Sequence, residues 1–170
     1  EDSTRTDPDY LEEAIRAATE AGADRISIAD TVGTATPFSY GKLIEDVVSK
    51  TDVPVHTHCH NDYGMAVANS LSGFGSGAYL IDVTVNGLGE RTGIASLAPI
   101  VVALTRLYKV DKDWDLEKLP EISRTVEKAS GLFNSEIEPI VGEHAFAHKS
   151  GLHTKAVLEN PETYEAIPPE

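Results

Sequence analysis

Val55-His56-Thr57-His58-Cys59-His60-Asn61-Asp62 decides how the rest of the chain is read. It starts β-branched and then carries a histidine at every second position. On a strand, successive side chains point to opposite faces, so His56, His58 and His60 are expected to share one face. Asn61, Asp62 and Gly64 follow and are turn formers, so the strand ends there. The histidines therefore sit at a strand end, where α/β proteins place their chemistry. Neutral imidazole is a common ligand for divalent transition metals, and an i, i+2 pair can hold one ion from a single face. Two readings stand at this point: an ion-binding pair, or a polar strand end whose histidines are hydrogen-bonded. Three of the chain's six histidines alternate here, which argues against chance. Cys59 faces the other way and is read as packing.

Outward from this stretch, strands alternate with helices. Asp7 and Pro8 open a helix with Leu11, Ala14, Ile15 and Ala18 on one side, and Gly22 stops it. A short strand is expected over 25–30 and a loop over 31–37. Thr36 and Pro37 then open a second helix, with Leu43, Ile44, Val47 and Val48 as its core face. After the histidine strand come a helix over 64–75 (Val67, Leu71 and Phe74 inward), a strand over 79–85, a glycine-rich loop over 86–93 and a helix over 94–108. This order means βαβ units and a parallel sheet. A closed eight-stranded barrel takes about 250 residues, so three strands here amount to roughly half of one. Beyond Lys109 the character changes: a charged linker, a polar helix over 116–132 with Leu119, Ile122, Val126 and Ala129 as its stripe, and a second histidine-bearing segment, Glu143 to His153. The glycine-rich loop lacks dinucleotide spacing and is no phosphate cradle.

The composition fits a globular domain of 170 residues, 41% hydrophobic and 25% charged. With 28 acidic residues against 14 basic and a net charge of -14, a nucleic-acid-binding surface is not expected. A single cysteine allows no internal disulfide and does not suggest secretion. No apolar run reaches membrane-span length and no signal peptide opens the chain. No membrane partner is expected, and a cytoplasmic location fits best.

His58-Cys59-His60-Asn61-Asp62 resembles the His-x-His-Asn-Asp signature of the metal-dependent, Claisen-condensing TIM barrels: the homocitrate, isopropylmalate and citramalate synthases. Ala29-Asp30-Thr31-Val32-Gly33 and Ala35-Thr36-Pro37 precede it at the spacing of that family. Asn86-Gly87-Leu88-Gly89-Glu90-Arg91-Thr92-Gly93 follows it. Ala145 to His153, with Asn160-Pro161 and Tyr164, resembles the linker subdomain of these synthases. The resemblance implies a fold: the C-terminal half of a TIM (β/α)8 barrel over residues 1–109 and a helical linker subdomain over 110–170. It also implies that the barrel's first half lies outside this sequence, including the Arg-Asp-Gly strand that carries an acidic metal ligand. On that basis the 170-residue chain alone is expected to be inactive.

The activity implied is acyl transfer, joining acetyl-CoA to a 2-oxo acid with thioester hydrolysis and a divalent cofactor (Mg, Mn or Zn). His58 and His60 match the metal ligands and Thr31 the residue binding the substrate carboxylate. His153 matches the base and Tyr164 its hydroxyl partner, with His148 a further catalytic candidate. Asp62 reads either as an acceptor orienting a ligand histidine or as a turn cap, and Glu90 with Arg91 as a buried brace. In the family the linker histidine reaches the neighbouring barrel, which implies a homodimer. His153-Thr154-Lys155-Ala156 and Ile94 lean towards 2-oxoglutarate and homocitrate. His56, where compared homocitrate synthases often carry Glu, points away. Isopropylmalate or citramalate synthase is the alternative, and a non-catalytic metal-binding or interaction module the alternative of another class. A lyase of the same fold is disfavoured by Ile94 and the linker motif.

Overall fold

Three short strands form one parallel sheet in the order β1-β2-β3, in a computed structural model that describes residues 1–169. The strands are β1 Ile26–Asp30, β2 Val55–Cys59 and β3 Leu80–Ile81. Helices α2 Pro37–Val48 and α3 Ala66–Gly75 fill the connections between the strands, α1 Pro8–Glu20 precedes β1 and α4 Leu97–Arg106 follows β3. The chain divides into two compact units, Glu1–Asp111 and Lys112–Glu170.

Side-chain alternation sorts the sheet into two faces. Ile26, Ile28 and Asp30 of β1 are buried, while Ser27 is exposed and Ala29 half-buried. Val55, Thr57 and Cys59 of β2 are buried, while His56 and His58 are half-buried. The register pairs Ile26 with Val55 and Ala29 with His58, so the buried sets of the two strands line up. The buried face joins Tyr40, Ile44 and Val47 of α2 and Ile100 and Leu104 of α4 in one hydrophobic core. Tyr40 is fully buried and its hydroxyl donates to the Ile28 carbonyl at 2.6 Å. A Cβ on Gly73 of α3 would lie 2.6 Å from Thr57 Cγ2, so the absent side chain lets this helix lie against β2.

Helix starts follow local chemistry. Asp7 accepts from the backbone N–H groups of Asp9 and Tyr10 ahead of Pro8. Thr36 and Ser39 form a reciprocal capping box ahead of α2. Before α3, the Asn61 side chain accepts from Ala66 N–H.

Two expected elements differ. The strand over 79–85 is cut to Leu80–Ile81. Tyr79 and Asp82 N–H groups still donate to Val55 and Thr57 carbonyls, but the chain then leaves β2 and Thr84 pairs with Ser96. Residues 94–96 are consequently extended rather than helical: Ile94 bridges His60, Ser96 bridges Thr84, and α4 begins only at Leu97. Backbone pairing across the loop outcompetes helix propensity there.

The second unit holds α5 Leu119–Ser130 and α6 Gly151–Glu159. Helix α5 ends two residues earlier than its apolar pattern suggests, at Gly131 in the left-handed conformation (φ 74°). Its inward face is also rotated. Leu119 and Ser123 are buried, whereas Ile122 is 39% exposed. Asn134 explains the rotation: its side chain donates to Ser123 Oγ and its N–H to Glu127. Among the described residues no helix is long and apolar enough to cross a membrane.

Candidate functional site

His58 and His60 converge at the end of β2. Their Nε2 atoms lie 3.4 Å apart, with the rings edge to face at 68°. Ligand nitrogens about 2.0–2.1 Å from one tetrahedral ion would lie about 3.3 Å apart, so the spacing fits a shared divalent ion. It is long for a direct hydrogen bond between the rings. Nδ1 of His60 is buried without a partner. Among the described residues no third His, Cys, Asp or Glu completes a metal-binding group. Ile94 is 7% exposed and pairs through its backbone with His60, so the loop presents no donor side chain at that position.

Nδ1 of His58 meets Asp82 Oδ2 at 2.7 Å. The register accounts for the contact: β2 pairs His56 with Leu80 and Thr57 with Ile81, and one step further brings Asp82 alongside His58. His56 is on the same face, with its Nε2 3.8 Å from the same carboxylate oxygen. Burial pulls the His56 pKa below its ordinary value, Asp82 opposes this, and His58 and Arg25 add to it. Sequence reasoning missed Asp82. Its one available signal was a lone carboxylate in an otherwise apolar strand run.

Asp62 does not orient either histidine. It takes Arg91 in a two-pronged ion pair, with Nε to Oδ1 at 2.8 Å and Nη2 to Oδ2 at 2.9 Å. The guanidinium holds the Asp62 carboxyl below the usual carboxylate range. Arg91 also donates to the Thr31 carbonyl at 2.6 Å. One side chain thus ties together the loops that follow all three strands. This is the expected brace, but Arg91 makes it without Glu90, and its side chain is 42% exposed rather than buried. The loop holding it is tight: Arg91 has φ 55°, and a Cβ on Gly93 (φ 85°) would run into the Gly87 carbonyl.

Thr31 Oγ1 accepts the Asp2 N–H at 2.6 Å, which leaves its hydroxyl hydrogen to donate. Asp30, fully buried, accepts from Thr34 and Ala35 N–H, Asn69 Nδ2 and Thr4 Oγ1. It shapes the loop that presents Thr31. Cys59 is buried on the opposite face from the histidines, and burial pushes its thiol up to about 11.

The second unit gathers His148, His153 and Tyr164. His153, in the first turn of α6, stacks on Tyr164 with centroids 4.2 Å apart and planes 24° from parallel. The two rings thus meet through their faces, not through the tyrosine hydroxyl. The His148 ring is 6.3 Å from each of them, and its Nε2 is 3.5 Å from Glu165 Oε1. Asn160 and Pro161 build this corner: the Asn160 side chain accepts from Glu162 N–H and caps the 3₁₀ turn Pro161–Thr163, which delivers Tyr164. His148, Tyr164 and Glu165 line a cavity of about 200 Å³ with Ala145, Phe146 and Ala147. Glu165 is the member that sequence reasoning overlooked.

Comparison with known proteins gives a consistent picture. Residues 1–126 match the family model described as HMGL-like, and residues 140–170 match that of the homocitrate synthase post-HMGL domain. A probable 2-isopropylmalate synthase of Methanopyrus kandleri is 54% identical over the whole chain and 34% of its own length. The homocitrate synthase AksA of Methanocaldococcus jannaschii is 50% identical over the whole chain and 42% of its own length. A putative (R)-citramalate synthase of Methanothermobacter thermautotrophicus is 48% identical, over the whole chain and 34% of its own length. The chain thus spans between a third and under half of these relatives. Among solved structures, the HMG-CoA lyase of Bacillus subtilis superposes with a TM-score of 0.68 at 24% identity, covering 75% of this chain and 45% of that one. The carboxyl transferase domain of Rhizobium etli pyruvate carboxylase gives 0.65 at 26%, covering 74% and 21%. These likenesses establish an HMGL-like, TIM-barrel type of fold.

Proposed function

The chain belongs to the HMGL-like family, among its homocitrate and isopropylmalate synthases, and from that premise we propose that it is part of an enzyme condensing acetyl-CoA with a 2-oxo acid. The observation that carries the reading is the convergence of His58 and His60 Nε2 at a strand end. In this reading residues 1–109 are the C-terminal half of the barrel and 110–170 the linker subdomain. The enzyme works in the cytoplasm as a homodimer in which the linker histidine reaches the partner's barrel.

His58 and His60 would hold a divalent ion, which supplies Lewis acidity toward the ketone of the oxo acid. Thr31 donates its hydroxyl to the substrate carboxylate. Arg91, bridging Thr31 and Asp62, keeps the loops around that hydroxyl in register. The acetyl methyl is weakly acidic, so a positioned base is required, and histidine suits neutral pH. His153 takes that proton, leaving the methyl carbon to attack the ketone carbon. The Tyr164 ring holds the His153 imidazole by stacking. His148, held by Glu165, closes the same corner.

The favoured oxo acid is 2-oxoglutarate, giving homocitrate, on the strength of His153-Thr154-Lys155-Ala156 and Ile94. The alternative is 2-oxoisovalerate or pyruvate, in keeping with the isopropylmalate and citramalate synthases among the relatives. The test is coenzyme A release by the full-length gene product with a divalent metal and each oxo acid in turn. Preference for 2-oxoglutarate supports the homocitrate reading. Preference for another member keeps the reaction and moves the substrate. No turnover with any of them overturns the proposal.

A further inference from the structure

Asp82 is the charged group closest to the histidine pair, yet it does not stand where a third ligand would. The two nitrogens of an imidazole lie on opposite sides of the ring. A carboxylate 2.7 Å from Nδ1 of His58 is therefore too far from an ion on Nε2 of the same ring to coordinate it. What that carboxylate does control is the proton. Ionised, it only accepts hydrogen bonds, so Nδ1 of His58 carries the hydrogen and Nε2 keeps its lone pair. That lone pair faces Nε2 of His60 at 3.4 Å. The backbone holds the arrangement in place. Asp82 N–H donates to the Thr57 carbonyl at 2.9 Å, which sets the aspartate level with His58 across the ladder. His56, from the same face, stands 3.8 Å from the same oxygen and limits where the carboxylate can swing.

We propose that Asp82 is the positioning residue of the histidine pair, fixing His58 as the Nδ1–H tautomer so that its Nε2 is presented, lone pair outward, towards the point it shares with His60. The statement about metal rests on the reading of His58 and His60 as ligands; the statement about the tautomer does not. A ligand histidine anchored through its other nitrogen is better oriented and more basic, and loss of such a partner typically lowers metal affinity about 10–100-fold.

Two readouts on the full-length protein separate these statements. The first is the affinity for Mn²⁺ or Zn²⁺ alone, measured by competition with a chelator, for the wild type and for Asp82→Ala, His58→Ala and His60→Ala. The second is the tautomer of His58 in the metal-free protein, read from nitrogen-15 shifts of labelled histidine. The expected result is an Nδ1–H tautomer in the wild type and a mixture of tautomers in Asp82→Ala. Metal affinity falls about 10–100-fold in Asp82→Ala and further in either histidine variant. Wild-type affinity together with an unchanged tautomer in Asp82→Ala overturns the proposal. Should the two histidine variants bind metal like the wild type, the ligand reading fails, and the tautomer measurement still decides the role of Asp82. If Asp82→Ala does not fold, Asp82→Val, which suits a strand and carries no acceptor, replaces it: retained tautomer and affinity overturn the proposal, and loss of either supports it.

Discussion

The two histidine groups of this chain are built by opposite means. His58 stands on β2 and His60 just past its end, where it bridges Ile94, and their spacing follows the alternation of the extended chain. His148, His153 and Tyr164 stand on a loop, the first turn of a nine-residue helix and the end of a 3₁₀ turn. No buried residue supports α6, and Leu152 and Leu158 are 72% and 82% exposed. A strand end gives fixed geometry, suited to holding an ion. A short helix without a buried residue and a loop give a corner held by fewer packed contacts.

Functional substitutions should break this contrast most sharply. His153→Ala is expected to lower kcat by about 10²–10⁴-fold, the range of a lost general base, while leaving metal affinity at the wild-type value. His60→Ala should abolish metal binding. If His153→Ala weakens metal as His60→Ala does, the two groups are not functionally separate. Tyr164→Leu should cost less than loss of His153, since it removes the stacking face but not the base. Steady-state kinetics with saturating metal check this.

Stability should follow the same division. Asn69→Ala removes the buried amide that bonds Asp30 Oδ2 and the Ala35 carbonyl, and is expected to cost about 1–3 kcal/mol in urea unfolding. A substitution at Leu158, which is 82% exposed, should change stability by less than about 0.5 kcal/mol. Alkaline pH sharpens the comparison further. The Cys59 thiol is raised to about 11 in the folded protein, against about 8.5 in an unfolded chain. The folded state then holds its proton more tightly. The contribution of Cys59 to stability is constant below about pH 8.5 and falls between there and pH 11 by roughly 3 kcal/mol. Cys59→Ala should flatten that fall, and in the native wild type the thiol should resist alkylation at pH 8. Arg91→Ala should act on function rather than on stability. Its bonds to Asp62 and Thr31 are exposed, so the melting temperature should hardly change, while KM for the oxo acid rises severalfold.

Much of the strand-end histidine group was legible beforehand. Period-two alternation put His58 and His60 on one side of β2 and Cys59 on the other. Asp7-Pro8 and Thr36-Pro37 marked two helix starts to the residue. Resemblance to a family, not periodicity, singled out His153 and Tyr164. Tyr40 escaped notice because the partner of its buried hydroxyl, the Ile28 carbonyl, comes from strand β1 and not from its own helix. The ion pair of Asp62 went unseen for a similar reason: Arg91 is 29 positions away and reaches it only through a tight glycine loop.

The sequence by itself determined the alternation of strands and helices, the histidine face and the capped starts of α1 and α2, because each depends on neighbours within a few positions. Only the tertiary structure decided that Asp82 serves His58, that Arg91 ties three loops, that residues 94–96 pair instead of coiling, and that Tyr164 lies flat on His153. Those contacts join residues far apart in the chain. Strand register and loop closure set them, and neither is written in any local pattern.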